Sequence, residues 1–449
     1  MKILLIQSSL GDYKQSVIFP LGLACLAAAL DGHDVEMLDL NIVKDPVTAL
    51  KEKVDHTDFD VIGLSFRNID DQNRANLKYF YRENFQQDLR HIRQISGALP
   101  LVVGGTAFSL FPVEIMEDNP EIDFGVYLEG EQSFPELLDN LHQPEKVKGI
   151  FYRDGKGKSV FTGSRPLQVL TDLASPRRDL LDLRQYTPGE GIGIQTHRGC
   201  CNECSYCVYP FLGGHRLRLG DVTTIVDQIQ ELVERYGIRR FFFADSSFGI
   251  ARQHAEEICR EILRRQLDVH WGAYFDMTVQ ESLLLLAKQA GCTHLIFSPD
   301  GYSDAALEGL KKKITTRQVA AHMEMLIGHP ELNRDTTIVY SFLLAPPGET
   351  LSGLLKTLWV IVSLKIRVKL RLVHNVIVLF NWIRLEPETG VYEVAVAQDR
   401  TLTRKRLLPP VGQEVERVFY IHPQLHWVSR IVLRLKRMLQ KKESDRVVG

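Results

Sequence analysis

The sequence predicts an α/β protein: an N-terminal Rossmann-like doubly wound parallel sheet, then a full or partial α/β barrel, then a small α-helical C-terminal region. Three observations carry this. Short apolar runs alternate with helix-like stretches up to about residue 145, the alternation resumes near residue 191, and the chain closes on a basic amphipathic segment. Strands that read as unbroken Val/Ile/Leu runs belong to parallel sheets covered on both faces, and strand-helix repeats wind into such sheets.

KILLIQSS (residues 2 to 9) is the first such strand, and PLGLACLAAALDG (20 to 32) is an Ala/Leu-rich helix stopped by Gly32. DVEMLDL, VIGLSF, LPLVVGG and DFGVYLEG supply four more strands, with FPVEIMED and FPELLDNL among the helices between them. A first domain over 1–145 follows, its ligands expected beyond the carboxyl ends of the strands. Residues 146–190 change character: KGIFYRDGKGKSVFTG resembles a Gly-turned hairpin and LASPRRDLLDLRQYTPGEG a polar connector, so the stretch reads as a linker with local structure.

From GIGIQTHRG onward the runs RRFFFADSSF, VHWGAYF, THLIFSPDG, TIVYSFLLAPPGE and VHNVIVLFNWIRL mark a barrel domain over 191–400, with catalytic groups expected on the loops after the strands. Residues 401–449 form a helical extension. Its LHWVSRIVLRLKRMLQKK reads first as a solvated helix packed by its aliphatic face, and peripheral membrane contact through 425–442 is the second reading.

Hydrophobic content of 45%, charged content of 24% and a net charge of -2 describe a globular enzyme with no bulk electrostatic case for nucleic acid. MKILLIQSS lacks a signal-peptide pattern, and LLKTLWVIVSL, broken by Lys356 and Lys365, falls short of the roughly 18 apolar residues of a span, so a cytoplasmic location is expected. Of seven cysteines, four crowd into residues 200 to 207. Disulfide frameworks spread cysteines along small secreted chains, so this clustering argues for metal ligation in a reducing compartment.

Cys200, Cys204 and Cys207 in QTHRGCCNECSYCVYP give C-x3-C-x2-C, a spacing that wraps a loop around one cubic iron-sulfur cluster. Three thiolates for four irons leave one iron open to a small molecule. A zinc site completed by Cys201, His197 or His215 is an alternative, as is a C-x-x-C redox pair at Cys204 and Cys207. Cys201 creates a second register. Cys200 is preferred because it directly follows the THRG turn.

THRGCCNECSYC resembles the signature loop of the radical S-adenosylmethionine superfamily. The resemblance implies a 4Fe-4S cluster on Cys200, Cys204 and Cys207, S-adenosylmethionine chelated to the fourth iron, and Tyr206 against the adenine. FFFADSSFG is similar to the family's second-strand segment and suggests Asp245 as a contact to the amino group. FSPDGYSDAALEGLKKKIT is similar to a segment usually written Glu-Ser-Gly, with Asp300 and Tyr302 as departures that keep a carboxylate at shorter reach. LLAPPGET is similar to its Pro-Gly-Glu-Thr turn. Loop acids that only cap helices are the competing reading of Asp245 and Asp300.

The first domain has no G-x-G-x-x-G after its first strand; the loop reads SSLGDYKQSVIFPLG. It resembles the cobalamin-binding domains fused to this class of enzyme, through PLGLACLAAALDGHDVEMLD, GLS and VVGGTAF, and EGEQSFPELL resembles the stretch closing such domains. Cobalamin contacts are thereby expected at Leu64, Ser65, Gly104, Gly105 and Glu129. Glycines let backbone approach a ligand, and a serine hydroxyl can hydrogen-bond a benzimidazole. The Asp-x-His-x-x-Gly lower-ligand motif is absent, and His33, at a helix end, does not replace it. A flavodoxin-like domain whose glycines serve only turns is the bland alternative.

The resemblance covers roughly residues 1 to 400. It implies a radical generated from S-adenosylmethionine and, as leading expectation, methyl transfer through cobalamin to an unactivated carbon of a small-molecule or lipid-like metabolite. A cobalamin-dependent cyclase, rearrangement or oxidative enzyme is the runner-up, and a non-catalytic sensor the third. Trp359, Phe380, Trp382 and Trp427 hint at a lipid or tetrapyrrole, against the ordinary core role of aromatics. A reductant such as flavodoxin or ferredoxin is implied by the chemistry.

Overall fold

The computed structural model describes residues 1–11, 17–72, 74, 81–186, 191–371, 373, 375–408 and 415–447. Part of the SSLGDYKQSVIFPLG loop and of the TPGEG connector falls outside them. The chain forms two compact units, Met1–Gly193 apart from a short segment around Arg74, and Ile194–Gly449 apart from Leu212–Gly214.

The first unit is built on a seven-stranded sheet of β1 (Lys2–Gln7), β2 (Asp34–Asp39), β3 (Val61–Ser65), β4 (Leu101–Gly104), β5 (Phe124–Val126), β6 (Ile150–Arg153) and β7 (Ser159–Phe161), in the order 2-1-3-4-5-6-7. β1 to β5 pair in parallel. Ile3, Leu4, Leu5 and Ile6 are all fully buried, which is why β1 reads as an unbroken apolar run. Ile3 and Leu5 share one core with Leu23, Ala27, Phe134 and Leu137 of the Leu21–Ala28 and Gly130–Asp139 helices. Each of the Ile, Leu and Phe side chains contributes about 1.5–3 kcal/mol by leaving water.

The hairpin expected within a linker is instead part of this sheet: β5 pairs β6 antiparallel, and β6 pairs β7 likewise. Phe151 stacks on Phe161 and meets Phe108 edge-on, so the hairpin buries Phe151, which a free linker would expose. Gly105, directly after β4, has φ 102°, and a Cβ there would stand 2.6 Å from the Phe66 carbonyl oxygen. Both backbone geometry and space therefore demand glycine.

The second unit centres on six strands, β8 (Gly193–Ile194), β11 (Arg240–Phe243), β12 (His270–Phe275), β13 (Cys292–Asp300), β14 (Thr337–Leu343) and β15 (Val376–Asn381), ordered 15-14-13-12-11-8. Two small ladders, β9 (His197–Arg198) with β10 (Arg218–Leu219) and β16 (Ile383–Arg384) with β17 (Phe419–Tyr420), flank them. β11 to β15 pair in parallel, and β8 and β15 are edges, so the sheet is the partial form of the expected barrel. Connecting helices start where the sequence caps them. Asp221 accepts from the Thr224 amide, and Thr315 with Gln318 makes a capping box. The wall behind β11 and β12 is aromatic: Phe243 stacks on Phe248 and meets Trp271, whose indole donates to the Ala290 carbonyl.

Replacing Gly105 by Ala is expected to destabilise the first unit by about 2 kcal/mol or more through the left-handed φ and the clash with Phe66. Denaturant unfolding of the variant beside the parent checks this.

Candidate metal and cofactor sites

The cysteine loop hangs from β8 and is fixed at its stem by Asp245, which follows β11. One Asp245 oxygen accepts from the Thr196 amide at 2.8 Å and the His197 amide at 3.3 Å, and the other from the Thr196 hydroxyl at 2.7 Å. The carboxylate is 3% exposed. Burial pushes its pKa up while His197 and Thr196 pull it down, and burial lowers that of His197. Asp245, expected to contact a ligand's amino group, takes these hydrogen bonds from two amides and one hydroxyl of the loop stem.

Further along, the Ser246 hydroxyl donates to the Gly199 carbonyl at 3.0 Å. Ser205, between two of the cysteines, is held three ways. Its amide donates to Leu310 at 2.9 Å, its hydroxyl to Gly309 at 3.1 Å, and its carbonyl accepts from Val391 at 2.7 Å. Gly309 lets the Pro-Pro-Gly-Glu-Thr turn close in, since a Cβ there would lie 2.1 Å from the Pro347 carbonyl oxygen.

Cys200 is buried, Cys204 and Cys207 half-buried and Cys201 exposed, and all four are free thiols. Burial raises the thiols of Cys200, Cys204 and Cys207, the last to about 12; Cys200 adds to the rise at Cys204, and Cys204 and Cys200 to that at Cys207. Deprotonated together, they need positive charge among them. Among the described residues no three His, Cys, Asp or Glu side chains stand close enough to share one metal ion, so the zinc reading gains no support. A cubic cluster spaces its thiolates more widely than one ion does, and three cysteines of one loop without a disulfide suit it.

Asp300, at the end of β13, accepts from the Tyr206 hydroxyl at 2.6 Å and faces the Lys312 ammonium at 2.5 Å. Lys312 also donates to Ser298 and lies 6.0 Å over the Tyr206 ring. Burial disfavours its charge, but Asp300 and Cys204 outweigh that and raise its pKa. Burial, then Asp300, raises that of Tyr206. Asp300 itself takes φ 64°, a left-handed conformation that aspartate tolerates better than most residues.

Two residues here escaped the sequence reading. Asp276, after β12, accepts from Asn202 of the loop at 3.2 Å and from Ser247 at 2.7 Å. Its only signal was an acid directly after a strand. Lys312 was one of three consecutive lysines. Glu349 of the Pro-Gly-Glu-Thr turn is 1% exposed: one oxygen accepts from Ser303 and the Thr350 amide, and the other is buried without a partner.

In the first unit Ser65 and Gly104 end adjacent strands and pair in register, with Gly105 next. The order 2-1-3 reverses direction between β1 and β3, the place where such sheets open a crevice. The loop after β1 is latched there: Ser8 hydroxyl and Ser9 amide both donate to Asp88 at 2.8 Å, and Asn41 pairs with Leu10 and Ser8. Leu64 is 1% exposed and belongs to the core. Glu129 accepts from the Gln168 amide at 2.8 Å and so anchors the following segment.

Residues 11–138 match the family model of the B12 binding domain, and residues 194–358 that of the radical SAM superfamily. The chain is thus similar, in two successive segments, to B12-binding domains and to the radical S-adenosylmethionine superfamily. It is 29% identical over 308 residues to an uncharacterised methyltransferase of Pyrococcus horikoshii, covering 67% of this chain and 64% of that protein. It is 27% identical to the anaerobic magnesium-protoporphyrin IX monomethyl ester cyclase of Rubrivivax gelatinosus, over 54% of this chain and 46% of that one. The chain thus spans less than two thirds of either relative. The radical S-adenosylmethionine methyltransferase TsrM of Kitasatospora setae, solved with cobalamin and a [4Fe-4S] cluster, shares the fold at TM-score 0.72 and 23% identity, over 88% of this chain and 75% of that one. The family's cofactors are the cluster, S-adenosylmethionine and cobalamin.

Two outcomes follow. Asp245→Ala strips acceptors from three buried donors of the loop stem and is expected to cost about 2–4 kcal/mol, with iron and sulfide content falling although every cysteine remains; thermal unfolding and metal analysis read both. Asp88 has its pKa raised to about 6 by burial, against the pull of Ser9 and Ser8. Its folded form holds the proton longer than the unfolded one, so stability declines as pH rises from about 4 to 6, by at most about 3 kcal/mol. Asp88→Asn should flatten that decline and raise the unfolding midpoint at neutral pH.

Proposed function

We propose that this protein is a cobalamin-dependent radical S-adenosylmethionine C-methyltransferase acting on a small-molecule or lipid-like metabolite, in the cytoplasm, with a flavodoxin or ferredoxin as electron donor. The observation that carries the reading is the cysteine loop: Cys200, Cys204 and Cys207 turn inward and Cys201 outward, on a chain that also holds a B12-binding domain. When bound, these groups supply an electron to cleave S-adenosylmethionine, a radical to activate carbon, and a methyl carrier.

The chain's own residues do the positioning. Asp245, Ser205 and Ser246 set the loop's course, so the three thiols are presented without rearrangement. Tyr206 and Asp300, tied to each other and to Lys312, offer a ring face and a buried carboxylate for the nucleoside and amino-acid ends of S-adenosylmethionine. Ser65, Gly104 and Gly105 offer backbone and hydroxyl contacts for cobalamin's tail. The methyltransferase relative supports methyl transfer, and the cyclase relative supports ring closure as the second reading.

Anaerobically reconstituted, dithionite-reduced protein is expected to release both S-adenosylhomocysteine and 5'-deoxyadenosine from S-adenosylmethionine. Cys200→Ala, Cys204→Ala and Cys207→Ala should each fall to background, while Cys201→Ala retains turnover. Deoxyadenosine alone would favour the cyclase reading, and retention of activity by Cys200→Ala would overturn the cluster assignment.

A further inference from the structure

Among the described residues, nearly half of the exposed large apolar side chains fall on two helices of the second unit. On the Leu351–Lys369 helix and the residue after it, Leu351, Leu355, Trp359, Val362, Ile366 and Leu370 recur every three or four positions. They form one face, and Trp359 is 71% exposed. The opposite face, with Leu354, Val360, Ile361 and Leu364, is already buried. The His426–Val447 helix repeats the arrangement: Leu425, Ser429 and Leu433 are buried, and Trp427, Ile431, Leu435 and Met438 point to solvent. A surface helix needs one apolar stripe; these have two.

Both helices lie against the edge strand β15. The first packs on it. The second is pinned there by Trp382, whose indole donates to Ser429 at 2.7 Å, and by Lys436, which donates to the Phe380 carbonyl. The charge carried by the two segments themselves has one sign, and one acid from outside them, Glu324, pairs with Arg367. Residues 351–385 and 417–442 contain no Asp or Glu, and Lys356, Lys365, Lys369, Arg430 and Arg434 are exposed beside the apolar faces.

We propose that these two faces seat the protein on an anionic lipid surface. Apolar stripes with tryptophan, bordered by lysine and arginine, match the acyl and phosphate layers of such a surface. A second copy of the chain fits worse. Pairing the face with itself would set cation against cation, with no carboxylate within 351–385 or 417–442 to relieve it. Among the described residues no helix is long and apolar enough to cross a membrane, so the attachment is peripheral. The same surface places the expected lipid contact on 425–442 in partnership with 351–370, a segment whose tryptophan the sequence suggested for substrate.

The test is flotation of the reconstituted full chain with phosphatidylcholine vesicles, with or without phosphatidylglycerol, at low and high salt. Binding to the anionic vesicles is expected, weakened at least tenfold by high salt and by Trp359→Glu with Ile366→Glu or by Trp427→Glu with Ile431→Glu. These exposed positions leave the fold and the cleavage of S-adenosylmethionine intact, which circular dichroism and deoxyadenosine release confirm. Equal recovery with and without phosphatidylglycerol overturns the proposal. So does a self-associated species in sedimentation that the same variants dissociate, which would assign the faces to a second copy.

Discussion

The hydrogen bonding of one buried carboxylate sets the rest of the second unit's site. Asp245 sits at the end of β11 and holds the stem of the cysteine loop, which leaves the neighbouring β8. The sheet is held from behind by a buried core that includes Phe241, Phe243 and Trp271, and Asp245 ties the cysteine loop to it. Leaving this carboxylate unpaired would cost several kcal/mol in such a setting, so the hydrogen bonds that restrain the loop also satisfy the acid. The chemistry therefore inherits its precision from packing behind the sheet, where Phe243, Phe248 and Trp271 interlock.

Around the thiols the charges come in compensating pairs. Lys312 faces Asp300, and Tyr206 donates to the same carboxylate. A lone ammonium at that depth would give up its charge; beside Asp300, Lys312 keeps it. The aromatic ring is thus held by an acid that is itself held by a lysine.

The parallel strands were legible because burial on both faces turns them into plain apolar runs, as at Ile3–Ile6. The hairpin at Ile150–Phe161 was legible as a hairpin but not as part of the first sheet, since a sequence shows what a strand is and not which edge accepts it. The three inward cysteines were readable from spacing, although Cys201 stood beside them. Asp245 was visible as a site acid, but whether a carboxylate faces a ligand or the backbone depends on a contact 49 residues away. Lys312 could not be told from Lys311 and Lys313, because only the turn of the chain decides which of three lysines enters. Asp276 carried no pattern at all beyond its place after β12.

Ser205 binds the cysteine loop to Gly309, Leu310 and Val391, the last nearly two hundred positions downstream. On the ribosome, the loop is made long before those partners exist. Its final course waits for most of the barrel, since contacts of such separation are closed late. The thiols emerge early and stay adaptable, and the finished cradle forms only as the far edge of the sheet arrives. Maturation of a metal centre here is then a late event in the life of the nascent chain, timed by the topology of the fold.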